Sequence, residues 1–390
     1  MNLRVIYRDG VGEIKFDELL NSGTLYIGDV PSSFMDNLMI YCREYTGSLF
    51  VHDYTGRYRG LGAVYLDIGG DLKLDMFSEP ELFLYSLKAS LKYMGIRAPY
   101  WELVMPHIIY SFRESDGDGL DSFINFLVYR ANESSGLERM SYITLHNILL
   151  NIFTGDIFNL FSYNEYSEVK DLSKPIFIGY DVIDNFLARS FIQLFTSLYL
   201  AKRYPNSHHI IMFSDALDYI PRNILHSIFN VSGFLIHSTG FYNVISTLTR
   251  YIIIHAWKYI DKNFIDRYIV PSDYLGSDYL LLDKNVILAL ETPNVSLGDQ
   301  QVKRSVELGD NYISIHKAAI KRVLEIVNRY GELSIDGVYV NLGDYDLPYI
   351  ASLIDRLWRD GYLRRISGRG RVRYRLTIKG IRLLRGGDLG

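Results

Sequence analysis

The residues that could do chemistry lie first in the segment TLYIGDVPSSFM, residues 24–35. An apolar strand followed by G-x-x-x-x-G-K-[S/T] and a helix forms a phosphate-binding loop. Its backbone amides cradle phosphates, its Lys contacts the β- and γ-oxygens, and its hydroxyl holds Mg²⁺. Gly28 stands at the first glycine, and the Gly, Lys and Ser/Thr positions hold Ser33, Phe34 and Met35. Because an aromatic ring and a thioether neither neutralise a triphosphate nor bind magnesium, this spacing predicts a phosphate loop without its chemistry.

Polar residues also follow three later apolar runs, in the segments LFVHDYTGRY, HHIIMFSDALDY and GFLIHSTGF. The first segment carries Asp53 and Arg57, the second carries Ser214 and Asp215, and the third carries Gly240. Hydrolysis beside Mg²⁺ uses one carboxylate for the metal and another for the attacking water. Only Asp215 is present in the second segment, so one carboxylate remains where two are needed.

The order of these segments resembles that of the HerA/FtsK superfamily, the hexameric DNA-pumping ATPases that include conjugation motors, over about residues 3–296. The resemblance implies that Arg57 replaces an acidic residue and that Ser214 and Asp215 stand in place of an Asp-Glu pair. It also implies that Gly240 replaces a Gln that senses the γ-phosphate. From it we expect a RecA-like core that has lost hydrolysis, a chain that is not an enzyme, and no cofactor.

Two alternatives to this interpretation stay open. The backbone amides after Gly28 can still hold an anion without hydrolysis, although Pro31 removes one of them. The same segments are also compatible with an ordinary doubly wound α/β protein, since strands that end in Gly or Asp are common in that class.

The elements that must position these residues follow from the apolar pattern. Over residues 1–296 short apolar runs alternate with helical patterns, which favours a mostly parallel sheet flanked by helices. Helical spacing over residues 80–171 predicts a helical insertion in this core, and residues 183–204 have the apolar stripe of a crossover helix. Residues 244–269 and 280–295 follow the family's helix, last strand and exit. The candidate core strands are 24–27, 48–52, 175–180, 209–213, 233–237 and 285–290.

Composition limits the class of protein. No apolar run reaches the ~20 residues that span a bilayer, and the first residues lack a secretory signal pattern, so we expect a cytoplasmic protein without membrane contact. The single Cys42 excludes internal disulfides and a cysteine-based zinc site. Many tyrosines and one cysteine are typical of a thermophile.

The net charge of −4 is unevenly distributed along the chain. Residues 310–390 carry 15 Lys and Arg against 9 Asp and Glu, whereas the preceding residues carry 26 against 36. Residues 297–311 are polar and are predicted to form a linker. A basic C-terminal region is typical of binding to a polyanion, and a solvated basic tail is the alternative.

Residues 312–390 have the pattern of three short helices followed by a hairpin. The stretches Leu357–Leu363 and Tyr374–Gly380 match L-x-x-x-G-[Y/L]-[I/L/V] and Y-x-L-T-x-K-G. In these motifs the unit resembles winged helix-turn-helix domains. The outer side of the third helix is predicted to carry Asp355 beside polar and basic residues, and the hairpin is rich in arginine. The predicted DNA-binding residues are Ser352, Arg356, Arg359, Arg364, Arg365, Arg369, Arg371, Arg373, Arg375 and Lys379.

These observations lead to the hypothesis of a DNA-binding pseudo-ATPase. In this hypothesis the winged helix binds double-stranded DNA mostly through phosphates, and the core assembles as a homo-oligomer or with an active paralogue. A winged helix that contacts proteins is an alternative for the C-terminal unit. A transcription regulator with a ligand-binding core and an active DNA-dependent NTPase with a non-standard phosphate loop are alternatives for the whole chain.

Overall fold

The computed structural model describes most of the 390 residues. The described residues are 2–7, 10–28, 33–61, 64–96, 104–114, 119–153, 157–158, 166–167, 169, 171–238, 243–255, 279–283, 286–290, 317–342, 347–359, 361–368 and 371–384. Among them, no helix is both long and apolar enough to cross a bilayer.

Among the described residues, eleven strands form one sheet at the centre of the larger part of the chain, in the order β2-β1-β11-β10-β9-β3-β8-β7-β4-β6-β5. The strands are β1 (Asn2–Tyr7), β2 (Gly10–Lys15), β3 (Thr24–Ile27), β4 (Leu49–Asp53), β5 (Val64–Asp67), β6 (Ile176–Gly179), β7 (His208–Ile211), β8 (Gly233–Ser238), β9 (Tyr251–His255), β10 (Tyr279–Asp283) and β11 (Val286–Leu290).

Seven neighbouring strands, from β9 to β5, are parallel. Every residue of β3, β4, β6 and β8 is buried, as expected for strands covered by helices on both faces. The predicted mostly parallel α/β sheet is therefore confirmed, including each of the five candidate strands in this part, to within two residues.

Four antiparallel strands extend one edge of the sheet. β10 pairs with β9, β11 with β10, and the N-terminal hairpin of β1 and β2 completes the edge. The sequence analysis did not separate β9 from the helix before it. The structure ends that helix at Leu248 and begins the strand at Tyr251.

Helices lie between the strands along the chain. They are α1 (Phe16–Asn21), α2 (Ser33–Arg43), α3 (Pro80–Tyr93), α4 (Met105–Glu114), α5 (Gly119–Glu133), α6 (Gly136–Ile152), α7 (Phe186–Arg203), α8 (Arg222–Phe229) and α9 (Asn243–Leu248), together with a short 3₁₀ helix at Asp215–Tyr219. The crossover helix α7 begins where the Asn185 side chain accepts the Ala188 amide, and two basic residues lie in its last turn. The edge-to-face contact of Phe83 with Phe191 packs α3 against α7.

A second hydrophobic core lies in the C-terminal unit, which we define as residues 317–384. It contains α10 (Lys317–Tyr330), α11 (Ile335–Leu342), α12 (Leu347–Arg359), the hairpin β12 (Leu363–Gly368) and β13 (Arg371–Leu376), and α13 (Ile378–Leu384). Leu333 exchanges two backbone hydrogen bonds with Tyr374 and so adds a third short strand segment to the hairpin. Residues 291–316, which include the predicted linker, lie outside the described residues, so the domain limits stay predictions.

Candidate functional site

Gly28 follows β3 at the edge of the sheet where the parallel strands end. Its amide donates to the Ser238 carbonyl at 3.0 Å, and its carbonyl accepts from His237 Nε2 at 3.0 Å. The other ring nitrogen of His237 accepts from the Phe213 amide, so the imidazole is neutral with its proton on Nε2. A Cβ at position 28 would lie 3.0 Å from the Cβ of His255, which explains the glycine. The amide of Gly28, the first in the predicted phosphate loop, is therefore already hydrogen-bonded to the end of β8.

Phe34, at the lysine position of that loop, is fully buried. Its ring lies parallel to the Tyr26 ring with centroids 5.5 Å apart, and 5.5 Å from the Tyr279 ring. His255 stacks on Tyr279 at 4.8 Å. Met35 is also fully buried. Through these ring contacts, Tyr26, Phe34, Tyr279 and His255 join the first turn of α2 to β3, β10 and β9.

Arg57 forms a two-fold hydrogen-bonded ion pair with Asp36 of α2. Arg57 Nε and Nη2 donate to the two carboxylate oxygens at 3.1 and 2.8 Å, and the Tyr58 hydroxyl donates to the same carboxylate at 3.2 Å. Both charged side chains are mostly buried. Arg57 stands where the family in the resemblance has an acidic residue. Its partner Asp36 follows Met35 in the first turn of α2, where negative charge is favourable.

Asp53 ends β4 and is buried. Its Oδ2 accepts from the Tyr58 amide at 2.8 Å and from the Tyr65 hydroxyl at 3.1 Å. Burial raises the pKa of Asp53 to about 6, and the hydrogen bonds from Tyr58 and Tyr65 oppose that rise. Asp53 is thus a carboxyl group held in place by two donors at the same edge of the sheet as Gly28.

Asp215 lies between β7 and β8 at the same edge, and it is fully buried. The Ser238 hydroxyl donates to its Oδ1 at 2.7 Å, and the Tyr93 hydroxyl donates to Oδ2 at 3.4 Å. Ser214, the residue before it, donates its amide to the His237 carbonyl at 3.0 Å. Since Ser238 also accepts from Gly28, the structure brings the strand ends that carry Gly28, Ser214 and Asp215 together.

Sequence reasoning missed Tyr93 and His237 at this site. Tyr93 comes from the end of α3, in the predicted helical insertion, and no local pattern connects it to β7. His237 was visible as a buried histidine before Ser238, but its partners depend on the strand order. Gly240 lies outside the described residues, and the Ser33 side chain is also outside them. Among the described residues, no group of three or more His, Cys, Asp or Glu side chains is arranged for a metal ion.

The arginines of the hairpin in the C-terminal unit lie on two opposite faces. The register pairs Arg364 with Arg375 and Ile366 with Arg373, so these four residues share one face, whose three arginines are exposed. We call it the outer face. On it, Glu332 Oε1 lies 2.7 Å from Arg375 Nη2, and Glu332 Oε2 lies 3.9 Å from Arg373 Nη1.

Other predicted DNA-binding residues have different surroundings. Arg365 lies on the opposite face of β12 and donates from Nη2 to the Tyr93 carbonyl at 2.9 Å. Lys379 Nζ lies 4.4 Å from the centre of the Tyr362 ring. Asp355, predicted on the outer side of α12, is buried. It lies one helical turn after Ala351, which packs against the large hydrophobic core, so that side of α12 is covered by the rest of the protein. Arg369 and the side chains of Ser352, Arg356, Arg359 and Arg371 lie outside the described part, and their role stays a prediction.

The strand order and the positions of Gly28, Asp53 and Asp215 at one edge of the sheet define a RecA-like, mostly parallel α/β core. Comparison of the sequence with protein-family models and with curated proteins finds no match. Among solved structures, the chain is similar to VirB4 of Thermoanaerobacter pseudethanolicus, a P-loop ATPase of the FtsK/HerA-like superfamily. The identity is 14%, the TM-score is 0.50, and the similarity covers 77% of this chain and 97% of that one. At this identity the likeness establishes the fold.

The prediction that the chain is not an enzyme is wrong, because the protein that shares its fold is an ATPase. The physical reason is that buried strands and helices specify this fold. Substitutions such as Phe34 and Arg57 are accommodated by local packing and pairing, so they do not by themselves separate the chain from an enzymatic class.

Replacing Phe34 with Ala is expected to destabilise the core strongly. The change removes a buried ring from contact with Tyr26 and Tyr279, and buried Phe→Ala changes cost about 3–5 kcal/mol. Urea unfolding followed by tyrosine fluorescence measures the change in free energy of unfolding. Met140→Ala, at a position 53% exposed, is the control and should change it by less than about 0.5 kcal/mol. A loss below about 1 kcal/mol for Phe34→Ala would contradict the packing role.

Asp53→Asn is expected to change how stability depends on pH. The folded pKa of about 6 lies above the ordinary 3.8, so the proton on Asp53 stabilises the fold below pH ~4. This contribution is lost as the pH rises through about 6. The Asn oxygen still accepts from Tyr58 and Tyr65, so from pH 4 to 7 the variant should gain on the order of 2–3 kcal/mol relative to the parent chain.

The measurement is urea unfolding of both proteins at pH 4, 5.5 and 7. Asp184→Asn, at an exposed position, is the matched control and should follow the parent at all three values. A difference between Asp53→Asn and the parent that stays constant with pH would show that the Asp53 pKa is not raised.

Arg57→Glu places two carboxylates in one mostly buried site. Because the mutation removes the partner of Asp36 and adds repulsion, we expect a loss of about 3 kcal/mol in the free energy of unfolding. The exchanged pair Asp36→Arg with Arg57→Glu should recover at least half of that loss, which a double-mutant cycle measures. An exchanged pair no more stable than Arg57→Glu alone would rule out a direct ion pair as the reason for the arginine.

Proposed function

We propose that this chain is a DNA-binding protein in which a P-loop ATPase-like core is joined to a C-terminal winged helix that contacts the sugar–phosphate backbone of duplex DNA. The likeness to VirB4 supports the scaffold part of the proposal. The arrangement of three helices, a hairpin and a third strand segment in the C-terminal unit supports the winged-helix part. The outer face of the hairpin is the observation that carries the DNA-binding part.

The outer face is arranged at a cost to folding stability. Arg364 lies directly opposite Arg375 across the hairpin, and like charges at such positions repel each other. Glu332 offsets part of this repulsion through Arg375, with a longer contact to Arg373. Three arginines against one glutamate leave an excess of positive charge on this face. A polyanion that lies along the hairpin supplies the missing negative charge.

Binding of this kind depends on phosphates more than on bases. Exposed arginines on a wing meet the backbone or the minor groove, and neither contact reads a full base sequence. Release of counterions from the duplex then makes the affinity fall steeply with salt. The proposal includes assembly of several chains on one duplex, as copies or together with a related ATPase. Mass photometry with and without a duplex counts the chains in the assembly.

Arg364→Ala is expected to weaken duplex binding roughly 3- to 10-fold at ~0.1 M salt, with little dependence on base sequence. Losing one phosphate contact should also lower the slope of log K against log salt by about 1. Fluorescence anisotropy with two unrelated 30-base-pair duplexes measures both quantities. Arg139→Ala removes another exposed arginine, from α6, and should change neither. Equal effects of the two substitutions would show that the outer face is not the DNA contact.

A further inference from the structure

Arg365 connects the C-terminal unit to the core. Its Nη2 donates to the carbonyl of Tyr93, and its guanidinium carbon lies 4.1 Å from the centre of the Tyr93 ring and 5.4 Å from that of Trp358. Tyr93 is the last residue of α3, where the helix dipole favours a cation. Because two aromatic rings and a helix C-terminus all attract a cation, this position stabilises the Arg365 guanidinium.

The hairpin register keeps Arg365 away from the outer face. Arg365 pairs with Tyr374, and both share a face with Leu363 and Leu376, which pack in the hydrophobic core of the C-terminal unit. The neighbouring Arg364 points to the opposite side of the strand and is exposed. Two consecutive arginines therefore face different surroundings, one the core of the protein and the other solvent.

A second contact covers part of α12. Ala351 of this helix packs against the large hydrophobic core, and α12 lies next to α7. In a helix-turn-helix unit the recognition helix enters the major groove and needs a free face to do so. The side of α12 that contains Ala351 is occupied by α7 in this structure.

We propose that Arg365 is a latch that holds the C-terminal unit on the core and keeps α12 away from duplex DNA. In the latched state only the outer face of the hairpin is available, and it captures the backbone. When Arg365 leaves Tyr93, α12 separates from α7 and can enter the groove. This inference rests on the proposed function and assigns to Arg365 a positioning role that differs from the DNA contact predicted from the sequence.

A latch and a direct DNA contact predict opposite changes in duplex affinity when Arg365 is replaced. If only open molecules bind DNA through α12, the apparent affinity is proportional to the fraction of open molecules. Opening the latch then tightens binding. We expect Arg365→Ala in the full chain to bind a 30-base-pair duplex tighter by a factor of about three or more, whereas Arg364→Ala binds it more weakly. A direct DNA contact by Arg365 would instead make Arg365→Ala weaker.

Small-angle scattering without DNA tests the latch itself. The parent chain should show a radius of gyration near the ~21 Å of one compact body of this length, and Arg365→Ala should exceed it. Arg365→Lys keeps the charge near the rings and should stay closer to the parent. Ala351→Glu, which places a charge between α12 and α7, should open the molecule independently and decides the question if Arg365→Ala fails to fold.

An unchanged radius of gyration for Arg365→Ala and Ala351→Glu would overturn the latch. A larger radius without tighter DNA binding would overturn the claim that the latch covers a DNA-binding helix. If the parent chain and all variants fail to bind duplex DNA, the proposed function fails together with that claim, and the scattering comparison still decides whether Arg365 holds the two parts together.

Discussion

The parallel stacking of Phe34 on Tyr26 is the contact on which the rest of the site depends. It joins the first turn of α2 to β3, and through Tyr279 it joins both to the antiparallel edge of the sheet. A buried ring at this place fixes where α2 begins and which side chains reach the end of β3. The hydrogen bonds of Gly28 with Ser238 and His237 hold the end of β3 beside this contact.

A chain of short contacts leads from this edge of the sheet to the C-terminal unit. Ser238 accepts from Gly28 through its carbonyl and donates to Asp215 through its hydroxyl. Asp215 accepts from Tyr93, and the Tyr93 carbonyl accepts from Arg365. The position of the basic hairpin on the core is thereby set by residues from four separate segments of the sequence. The hydrogen bonds from Ser238 and Tyr93 satisfy both oxygens of the buried Asp215 carboxyl group.

Much of the fold could be predicted from the sequence because its strongest signals are local. Strands buried on both faces, such as β3 and β8, appear as unbroken apolar runs, and α7 has a wide apolar stripe with a basic last turn. The strand β9 was harder to predict, because Tyr251–His255 follows a helix after two residues. Its apolar run is compatible with a helix or a strand. The sequence analysis predicted that Arg364 and Arg365 both bind DNA, whereas the structure places them on opposite faces of β12 and brings Arg365 to Tyr93.

The site was predictable in its positions and not in its partners. Gly28, Asp53 and Asp215 follow strands and were found by spacing, whereas Asp36, Tyr93 and His237 depend on which elements become neighbours. The interpretation of Phe34 as a lost lysine described what the position lacks. The structure shows what the position contains, a core contact, and the likeness to VirB4 shows that the fold does not require a lysine at this position.

The central claim is that a basic hairpin on a P-loop ATPase-like core binds duplex DNA. Photo-crosslinking of the full chain to a duplex, followed by mass spectrometry of the attached peptides, tests it most directly. The account predicts crosslinks concentrated in residues 361–384, on the outer face of the hairpin and the segments next to it. Crosslinks confined to the core strands and helices, with none in the C-terminal unit, would contradict it.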